Sequence, residues 1–458
     1  MDWFTHLRNG WGQDILFLND LLLIIPFLLV VHFFLKKHIE KQTNPIYKKY
    51  LLKGWYVRVV GAVMSALMYQ YYYHGGDTMS YFKVMLWLRK YTFTDFQVVI
   101  DAFFNTSKEN YNILMYQYFG GYYSYLAEDG TRTVILIGYL LSYLCFNTYI
   151  IISLFYTLFA YYGFWKLFKL FYKLYPHLEK EIAISCLFIP SVFFWGTGLM
   201  KEPLCVGALG ILTYCTYELF IDKKIKLKYI VALLFSIYII KTIKVYIILA
   251  FVPALSLWVF ARYALTIQNK IVKIVIAPML IVLGSGIGLL MLSQMASVAE
   301  RYSFEQLMRT AKDTQNWLVY SSEEQDASLY TLGDLEYTTM GLIKVFPKAV
   351  NVTLFRPYIW EARRPTLFIA AIEAVATLYF TLMLFFRQGP FKVFKNIFSN
   401  PDVLFCFTFS IIFAFAVGFT SFNFGALARY KIPMMPFYFI ALTILYNVDT
   451  TKKTDNTT

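Results

Sequence analysis

The chain has 458 residues, of which 59% are hydrophobic and only 15% are charged, and its net charge is +14. A soluble globular domain carries about 25% charged residues, so this composition excludes one and predicts a polytopic membrane protein. The lysines sit in short segments between apolar stretches, where positive charge orients membrane spans, so the basic charge does not predict nucleic-acid binding. The five cysteines lie inside apolar stretches without metal-ligand spacing, and we predict neither a disulfide framework nor a zinc site.

Eleven apolar stretches approach the length of about 20 residues that a membrane-spanning helix needs. They are predicted, in chain order, at 15–35, 54–73, 147–167, 182–199, 203–221, 229–243, 245–263, 274–293, 366–386, 403–421 and 432–447. The predicted fold is therefore all-α, a polytopic integral membrane helix bundle with about 11 transmembrane helices. The sixth and seventh stretches leave an alternative open, in which they form one re-entrant hairpin.

Positive charge predicts the orientation of these spans. The segment 36–53 holds six lysines and one glutamate, which assigns it to the cytoplasm by the positive-inside rule. Alternation then puts the N-terminus outside a cell (inner) membrane and the C-terminus in the cytoplasm, with two long segments on the non-cytoplasmic face. The chain divides into an anchor span with a basic loop, a membrane core, a second outside segment and C-terminal spans with a short tail, at 1–53, 54–293, 294–365 and 366–458.

The two outside segments, 74–146 and 294–365, contain more than half of the acidic residues and are the predicted working parts. In the first, apolar residues recur at helical intervals among charged ones, which is typical of helices that lie in the membrane interface. Residues 134–145 are too few to span a bilayer and predict a further interfacial or re-entrant piece. In the second, the pattern predicts a helix over 298–319 and a mobile loop over 321–328.

A carboxylate stands on a glycine hinge at the end of the second stretch, in His74-Gly75-Gly76-Asp77-Thr78-Met79-Ser80-Tyr81. Asp77 could simply cap a helix that begins at Thr78, since aspartate often fills that position. It could equally act as a general base, with the glycines admitting a bulky substrate. Tyr81, one turn later, would share the face of Asp77 and orient it. His74 lacks the further histidines that a metal site would need, so no metal ligand is predicted.

A carboxylate at the outer end of an early span, followed by interfacial helices and a bundle of further spans, resembles the GT-C superfamily of membrane glycosyltransferases. The resemblance implies a sugar donor carried on a polyprenyl phosphate or pyrophosphate, with Asp77 as the catalytic base or acceptor-orienting group. The stretch Arg429-Tyr430-Lys431-Ile432-Pro433-Met434-Met435-Pro436 is similar to the start of a late span in aminoarabinose and protein-mannosyl transferases. The chain differs from those families in its extra early span and its single aspartate, so a divalent metal cofactor stays open.

Lys201 and Glu202 close a pattern of the form W-x-x-G-x-x-K-E that begins at Trp195. Similar stretches occur in O-antigen-polymerase-like proteins of surface-polysaccharide assembly. Lys201 would bind a phosphate oxygen as a point charge, while Glu202 would orient it or contact the acceptor. The alternative is a tight turn whose two charges face water.

Three further basic residues are candidates to bind the donor phosphate. Lys241 and Lys244 lie one turn apart and would present two ammonium groups on a single helical face, unless they only snorkel to the membrane surface. Arg429 suits a phosphate because its guanidinium can engage two oxygens at once, and Tyr430 beside it would fix the backbone or contact sugar. An arginine that merely anchors its span is the alternative.

The end of the second outside segment, Arg356-Pro357-Tyr358-Ile359-Trp360-Glu361, offers sugar contacts. Trp360 would stack on a sugar, Arg356 would meet phosphate or an acidic sugar, and Glu361 would bind hydroxyls. A plain aromatic belt with basic anchors is the alternative. Glu373, about two turns inside the next span, is expected to face the bundle and pair with an arginine or lysine.

The leading hypothesis is an integral membrane glycosyltransferase that moves a sugar or glycan from a polyprenyl-linked donor to a glycan, lipid or protein acceptor. Within enzymes, the alternative is an O-antigen-polymerase or ligase-like transferase, in which the carrier phosphates would bind Arg301, Arg309, Arg356, Arg363 and Arg364. A transporter or flippase for lipid-linked glycans is an alternative of another class, although transporters tend to show repeated halves that this sequence lacks. A scaffolding membrane protein is a further alternative.

Overall fold

The computed structural model of the chain describes residues 18–106, 110–266, 329–333 and 339–448, together with the single residues 16, 312, 313, 316 and 320. In these residues the regular secondary structure is helical, apart from one isolated β-bridge between Leu329 and Asn423. The predicted all-α class is therefore confirmed. The predicted span at 274–293 and loop at 321–328 lie outside the described residues, as does all but three residues of the helix at 298–319.

The described residues form the following α-helices, in chain order. They are α1 (Leu18–Glu40), α2 (Pro45–Met68), α3 (Asp77–Thr94), α4 (Phe96–Phe104), α5 (Tyr111–Phe119), α6 (Tyr123–Ala127), α7 (Asp129–Ser142), α8 (Tyr149–Leu174), α9 (Glu179–Leu187), α10 (Pro190–Trp195), α11 (Lys201–Thr216), α12 (Leu227–Leu265), α13 (Thr339–Phe355), α14 (Pro365–Gln388), α15 (Pro390–Ser399), α16 (Pro401–Ser421), α17 (Phe424–Tyr430) and α18 (Met435–Tyr446). Single π-helical turns, Tyr69–Tyr73 and Tyr217–Ile221, extend α2 and α11.

Seven helices in the described residues are long and apolar enough to cross a membrane. These candidate spans are Leu22–Glu40, Pro45–Tyr73, Tyr149–Leu174, Lys201–Ile221, Leu227–Leu265, Pro365–Gln388 and Pro401–Ser421, with Met435–Tyr446 as a shorter apolar helix. The chain therefore has the helices of a multi-pass membrane protein, which associates with a lipid bilayer. The five cysteines are buried, as expected of small core residues.

The predicted continuous span at 182–199 is wrong. The structure has two short helices there, α9 and α10, and the chain leaves helical geometry between them. Pro190 is the reason, because proline lacks the amide hydrogen that a continuing helix needs and instead fits the first position of a new one. A hydropathy pattern indicates a run of apolar residues, but it does not indicate where the helix is interrupted within that run.

The chain folds into two compact units. The first comprises Met1–Lys166, Phe193–Ile211 and Leu234–Val245, and the second comprises Leu167–Val192, Leu212–Leu233 and Tyr246–Thr458. In the first unit, backbones of α8 and α11 touch: a Cβ atom on Gly163 would lie 2.0 Å from the carbonyl oxygen of Gly207. Glycine at this crossing allows the close helix approach that is common between membrane helices.

The described residues of the segment 74–146, which leave out 107–109, are mostly helical, as the pattern predicts, and form α3 to α7 in the first unit. The stretch predicted at 134–145 forms most of α7, which ends at Ser142. The side chains of Thr78, near the start of α3, and Tyr149, at the start of α8, share a buried hydrogen bond of 2.8 Å. This bond ties the first turn of α3 to a candidate span.

Helix α12 is 39 residues long and reverses direction at Lys244, whose φ of −147° and ψ of 77° are not helical. Before that residue, the Tyr229 ring packs on Tyr214, and after it the Tyr263 hydroxyl donates to the carbonyl oxygen of Phe220, at 2.6 Å. A straight helix would hold Tyr229 and Tyr263 about 50 Å apart. Both instead lie beside the last turns of α11 and its π-helical extension, so the predicted break between the sixth and seventh stretches is found at Lys244.

In the second unit, a buried carboxylate at the start of α16 binds side chains from two other segments of the chain. Asp402 accepts hydrogen bonds from the Trp258 indole at 2.7 Å, from the Tyr175 hydroxyl at 2.7 Å and from the Arg262 guanidinium. Asn400 caps the same helix by accepting from the amide nitrogen of Asp402 at 3.0 Å. A buried charge is tolerated only when it is compensated in this way.

Candidate functional site

Asp77 is the first residue of α3, and the helix therefore begins one residue earlier than predicted. Gly76 takes the capping position with a φ of 112°, and its carbonyl oxygen accepts from the amides of Met79 and Ser80, both at 3.1 Å. A Cβ atom on Gly76 would lie 2.9 Å from the Tyr69 ring, so only glycine fits there. The Asp77 carboxylate thus stands in the first turn of the helix, where the helix dipole favours negative charge, without serving as its cap.

Tyr125 of α6 lies near the start of α3. Burial raises the pKa of its hydroxyl and the charge of Asp77 raises it further, whereas its interaction with Ser80 lowers it. Tyr81, expected to orient Asp77, is buried and packs edge-on against the Tyr125 ring, with ring centroids 5.6 Å apart. The side chains assembled next to the carboxylate therefore include a serine and a tyrosine that the sequence patterns did not single out.

Lys201 begins α11 and reaches Glu128, which precedes α7. The ammonium donates to Glu128 Oε1 at 2.6 Å, and the Thr131 hydroxyl donates to Glu128 Oε2 at 2.6 Å. Partial burial raises the pKa of the Glu128 carboxyl, but Lys201 and the Thr131 hydrogen bond outweigh that effect, so this pKa falls below its ordinary value. The Lys201 side chain is 16% exposed and that of Glu128 is 60% exposed, so the pair opens to solvent on the carboxylate side.

Glu202 and Lys244 form a second, deeper ion pair. The Lys244 ammonium donates to Glu202 Oε1 at 2.7 Å, and the two side chains are only 9% and 3% exposed. Lys241 is exposed, and the reversal at Lys244 interrupts the turn between them. The two ammonium groups therefore do not share one helical face as expected, and neither Lys201 nor Glu202 simply faces water.

A short stretch of chain connects these groups. Tyr125, which adjoins Asp77, and Glu128, which holds Lys201, are three residues apart, a span of at most about 11 Å. The charge of Lys244 also acts on Glu128 and lowers its pKa. The first unit thus combines a carboxylate at a helix start with two lysines held by acidic partners. Nothing in the local sequence around Glu128 predicts its pairing with Lys201, 73 residues away.

The candidates near 356–361 lie in the second unit and engage one another. Arg356 forms a two-point ion pair with Glu361, whose Oε2 also accepts from the amide of Tyr358 at 2.8 Å. Burial raises the pKa of Glu361, but the hydrogen bond and charge of Arg356 together with the Tyr358 amide outweigh that effect and lower it. The pKa of Arg356 is raised chiefly by the same hydrogen bond. Trp360 is 80% exposed and stacks on Tyr358 at 5.0 Å.

Arg429 and Tyr430 end α17, also in the second unit, with the guanidinium 5.3 Å from the centroid of the Tyr430 ring. Asp77 belongs to the first unit. Glu373 is buried, as expected: it accepts from the Ser191 amide at 2.8 Å, and it interacts electrostatically with the buried Lys431. Arg363 and Arg364 precede α14, while the predicted contacts Arg301 and Arg309 lie outside the described residues.

In the part of the chain that the structure describes, no group of three or more His, Cys, Asp or Glu side chains is arranged to hold a metal ion. Compared with protein-family models, curated proteins and solved structures, the chain shows no match. The candidate site therefore has to be interpreted from its own residues.

Proposed function

We propose that the protein is an integral membrane glycosyltransferase, which moves a sugar or glycan from a polyprenyl-linked donor to an acceptor during cell-surface glycan or glycoconjugate assembly. The proposal includes the orientation that the basic segments favour, with the N-terminus outside an inner membrane and the C-terminus in the cytoplasm. It also includes about 11 crossings, of which the one at 182–199 is made by the two short helices α9 and α10, with α3 to α7 lying in the non-cytoplasmic interface.

The observation that carries the proposal is the short connection between Tyr125 and Glu128. Through it, a carboxylate at the start of α3, whose charge acts on Tyr125, and a lysine at the start of α11, which pairs with Glu128, are connected within the first unit. A base for the acceptor hydroxyl and a cation for the departing phosphate are the two groups that glycosyl transfer from a lipid phosphate requires. The proposal thus rests on the first unit alone and does not require Arg429.

In the proposed reaction, the acceptor hydroxyl oxygen attacks the anomeric carbon of the donor sugar, and its proton passes to the Asp77 carboxylate. The bond between that carbon and the phosphate oxygen breaks, and the polyprenyl phosphate leaves with the electron pair. Lys201 stabilises the negative charge that grows on the phosphate, exchanging its contact with the exposed Glu128 for one with a phosphate oxygen. The buried Glu202–Lys244 pair holds the start of α11 in position.

The test is release of the free carrier, polyprenyl phosphate or polyprenyl pyrophosphate, from a panel of sugars linked to each carrier and incubated with the protein in vesicles, measured by mass spectrometry. Asp77→Asn should lower turnover by about 100- to 10,000-fold, the usual contribution of a general base, while donor binding is retained. Asp95→Asn, at the opposite end of α3, is the matched control and should leave turnover unchanged.

Several results would count against the proposal. Full turnover in Asp77→Asn, combined with dependence on Arg356, Arg363 and Arg364, would favour a polymerase or ligase-like transferase. Translocation of the lipid-linked sugar without bond cleavage would favour a transporter, and absence of both activities over the whole panel would leave the glycosyltransferase hypothesis without support.

A further inference from the structure

Near the start of α3, partly exposed aromatic rings form two groups in the first unit that are joined by the buried ring of Phe119. We call this set the aromatic track, and its members are Tyr125, Tyr122, Trp87, Tyr91 and Tyr118. The ring centroids of Tyr125 and Tyr122 are 6.2 Å apart, those of Tyr122 and Trp87 are 5.2 Å apart, and those of Tyr91 and Tyr118 are 5.4 Å apart. The buried Phe119 links the two halves, with contacts of 6.1 Å to Trp87 and 5.7 Å to Tyr91.

Two members of the track, Trp87 and Tyr91, share one side of α3 with Asp77. Asp77, Ser80, Trp87 and Tyr91 recur at spacings that return to the same side of an α-helix. From the first to the last, the helix rises about 21 Å, which is the length of several sugar rings in a row. The Tyr125 ring also contacts the ring of Tyr81, one turn after Asp77, with centroids 5.6 Å apart, and this contact joins the track to the surroundings of Asp77.

The chemistry of the track suits a carbohydrate better than a lipid tail. Aromatic faces carry partial negative charge and attract the C–H groups on the flat side of a sugar ring, while tyrosine hydroxyls can bond sugar hydroxyls. Phe93 is 68% exposed and lies on the opposite side of α3, where the Arg89 guanidinium is 5.3 Å from the centroid of its ring. That ring has no hydroxyl group, whereas the track combines rings with hydroxyl groups.

We propose that the aromatic track binds the acceptor, and that this acceptor is an extended glycan of several sugar units whose terminal hydroxyl reaches Asp77. The proposal rests on the proposed function, which gives Asp77 to the acceptor hydroxyl and Lys201 to the donor phosphate. The donor phosphate would then occupy the region around Lys201 and Glu128. The acceptor would therefore approach Asp77 from the other side, along α3 and over Tyr122 and Trp87.

The experiment measures glycan binding apart from any transfer chemistry. Saturation-transfer NMR on the detergent-solubilised full chain would use malto-, cello-, chito- and manno-oligosaccharides of one to six units as probes. For at least one series, affinity should rise with chain length. Trp87→Ala and Tyr122→Ala should each weaken binding by about 2- to 10-fold, as expected for loss of one aromatic contact, whereas Trp87→Phe should retain it.

Phe93→Ala, on the opposite face of the same helix, is the control and should leave the affinity unchanged. If the track variants change thermal stability without changing glycan affinity, or if no series binds with length-dependent affinity, the proposal is overturned and the rings are structural. If Asp77→Asn abolishes transfer while Trp87→Ala leaves the acceptor KM unchanged, the track proposal fails and the glycosyltransferase proposal stands. If oligosaccharides bind with length-dependent affinity but no transfer is detected, the track proposal stands and the glycosyltransferase proposal fails.

Discussion

The ammonium group of Lys244 donates a hydrogen bond of 2.7 Å to the carboxylate of Glu202, at the residue where α12 reverses direction. Both side chains are almost fully buried. The pair therefore connects the point at which α12 reverses direction to the first turn of α11, immediately beside Lys201. Because each charge compensates the other away from water, the arrangement depends on both partners being present.

Replacing Glu202 with glutamine should lower the free energy of unfolding by about 3 to 5 kcal/mol, because it leaves the Lys244 ammonium buried without a countercharge. The measurement is reversible unfolding in detergent, followed by circular dichroism. Glu128→Gln removes the carboxylate from the more exposed pair and should cost only about 0 to 1 kcal/mol.

The double variant Glu202→Met with Lys244→Met provides the companion measurement, since removing both charges should recover most of the stability that Glu202→Gln loses. Equal losses in Glu202→Gln and Glu128→Gln would contradict the assignment of the buried pair as the one that matters for folding.

Gly76→Ala should destabilise the start of α3 by about 1 to 3 kcal/mol, because a side chain is strained at its φ of 112° and the new methyl group would meet the Tyr69 ring. Gly75→Ala is the matched control, since its nearest neighbour, the Tyr73 carbonyl oxygen, is 3.9 Å from the added carbon. Thermal unfolding of both variants gives the comparison. A similar melting temperature for the two would show that the glycine hinge is not required at Gly76.

Hydropathy and charge predicted the helical class and the positions of most long helices, because each of these depends on a local run of residues. They also indicated that Glu373 would have a basic partner, and Lys431 acts on it. The break at Pro190 was missed because one absent amide hydrogen does not alter an apolar average. Glu128 was missed for a different reason: its contact with Lys201 depends on which helices pack together, and no local pattern specifies that packing.

Arg356→Lys should weaken the second unit even though the charge is kept. Lysine cannot reproduce the two-point contact with Glu361, so the loss of one charge-assisted hydrogen bond should cost about 1.5 to 3 kcal/mol. Arg363→Lys is the control, because Arg363 is exposed, and it should leave the unfolding free energy within about 0.5 kcal/mol of the original. If both substitutions behave alike, the Arg356–Glu361 pair contributes nothing specific.

The pairing of Glu361 should also be visible as a pH dependence. Burial alone would raise the pKa of this carboxyl, but the Arg356 hydrogen bond and the Tyr358 amide bring it below its usual value of about 4.5. A lowered folded-state pKa means that the stabilisation is complete above the unfolded value and is lost as the pH falls through the folded one. The difference in melting temperature between the original chain and Glu361→Gln should therefore be constant from neutral pH down to about 4.5 and shrink at lower pH. A difference that grows on acidification would mean that the folded protein favours the protonated carboxyl, and the ion pair would then not be the stabilising form.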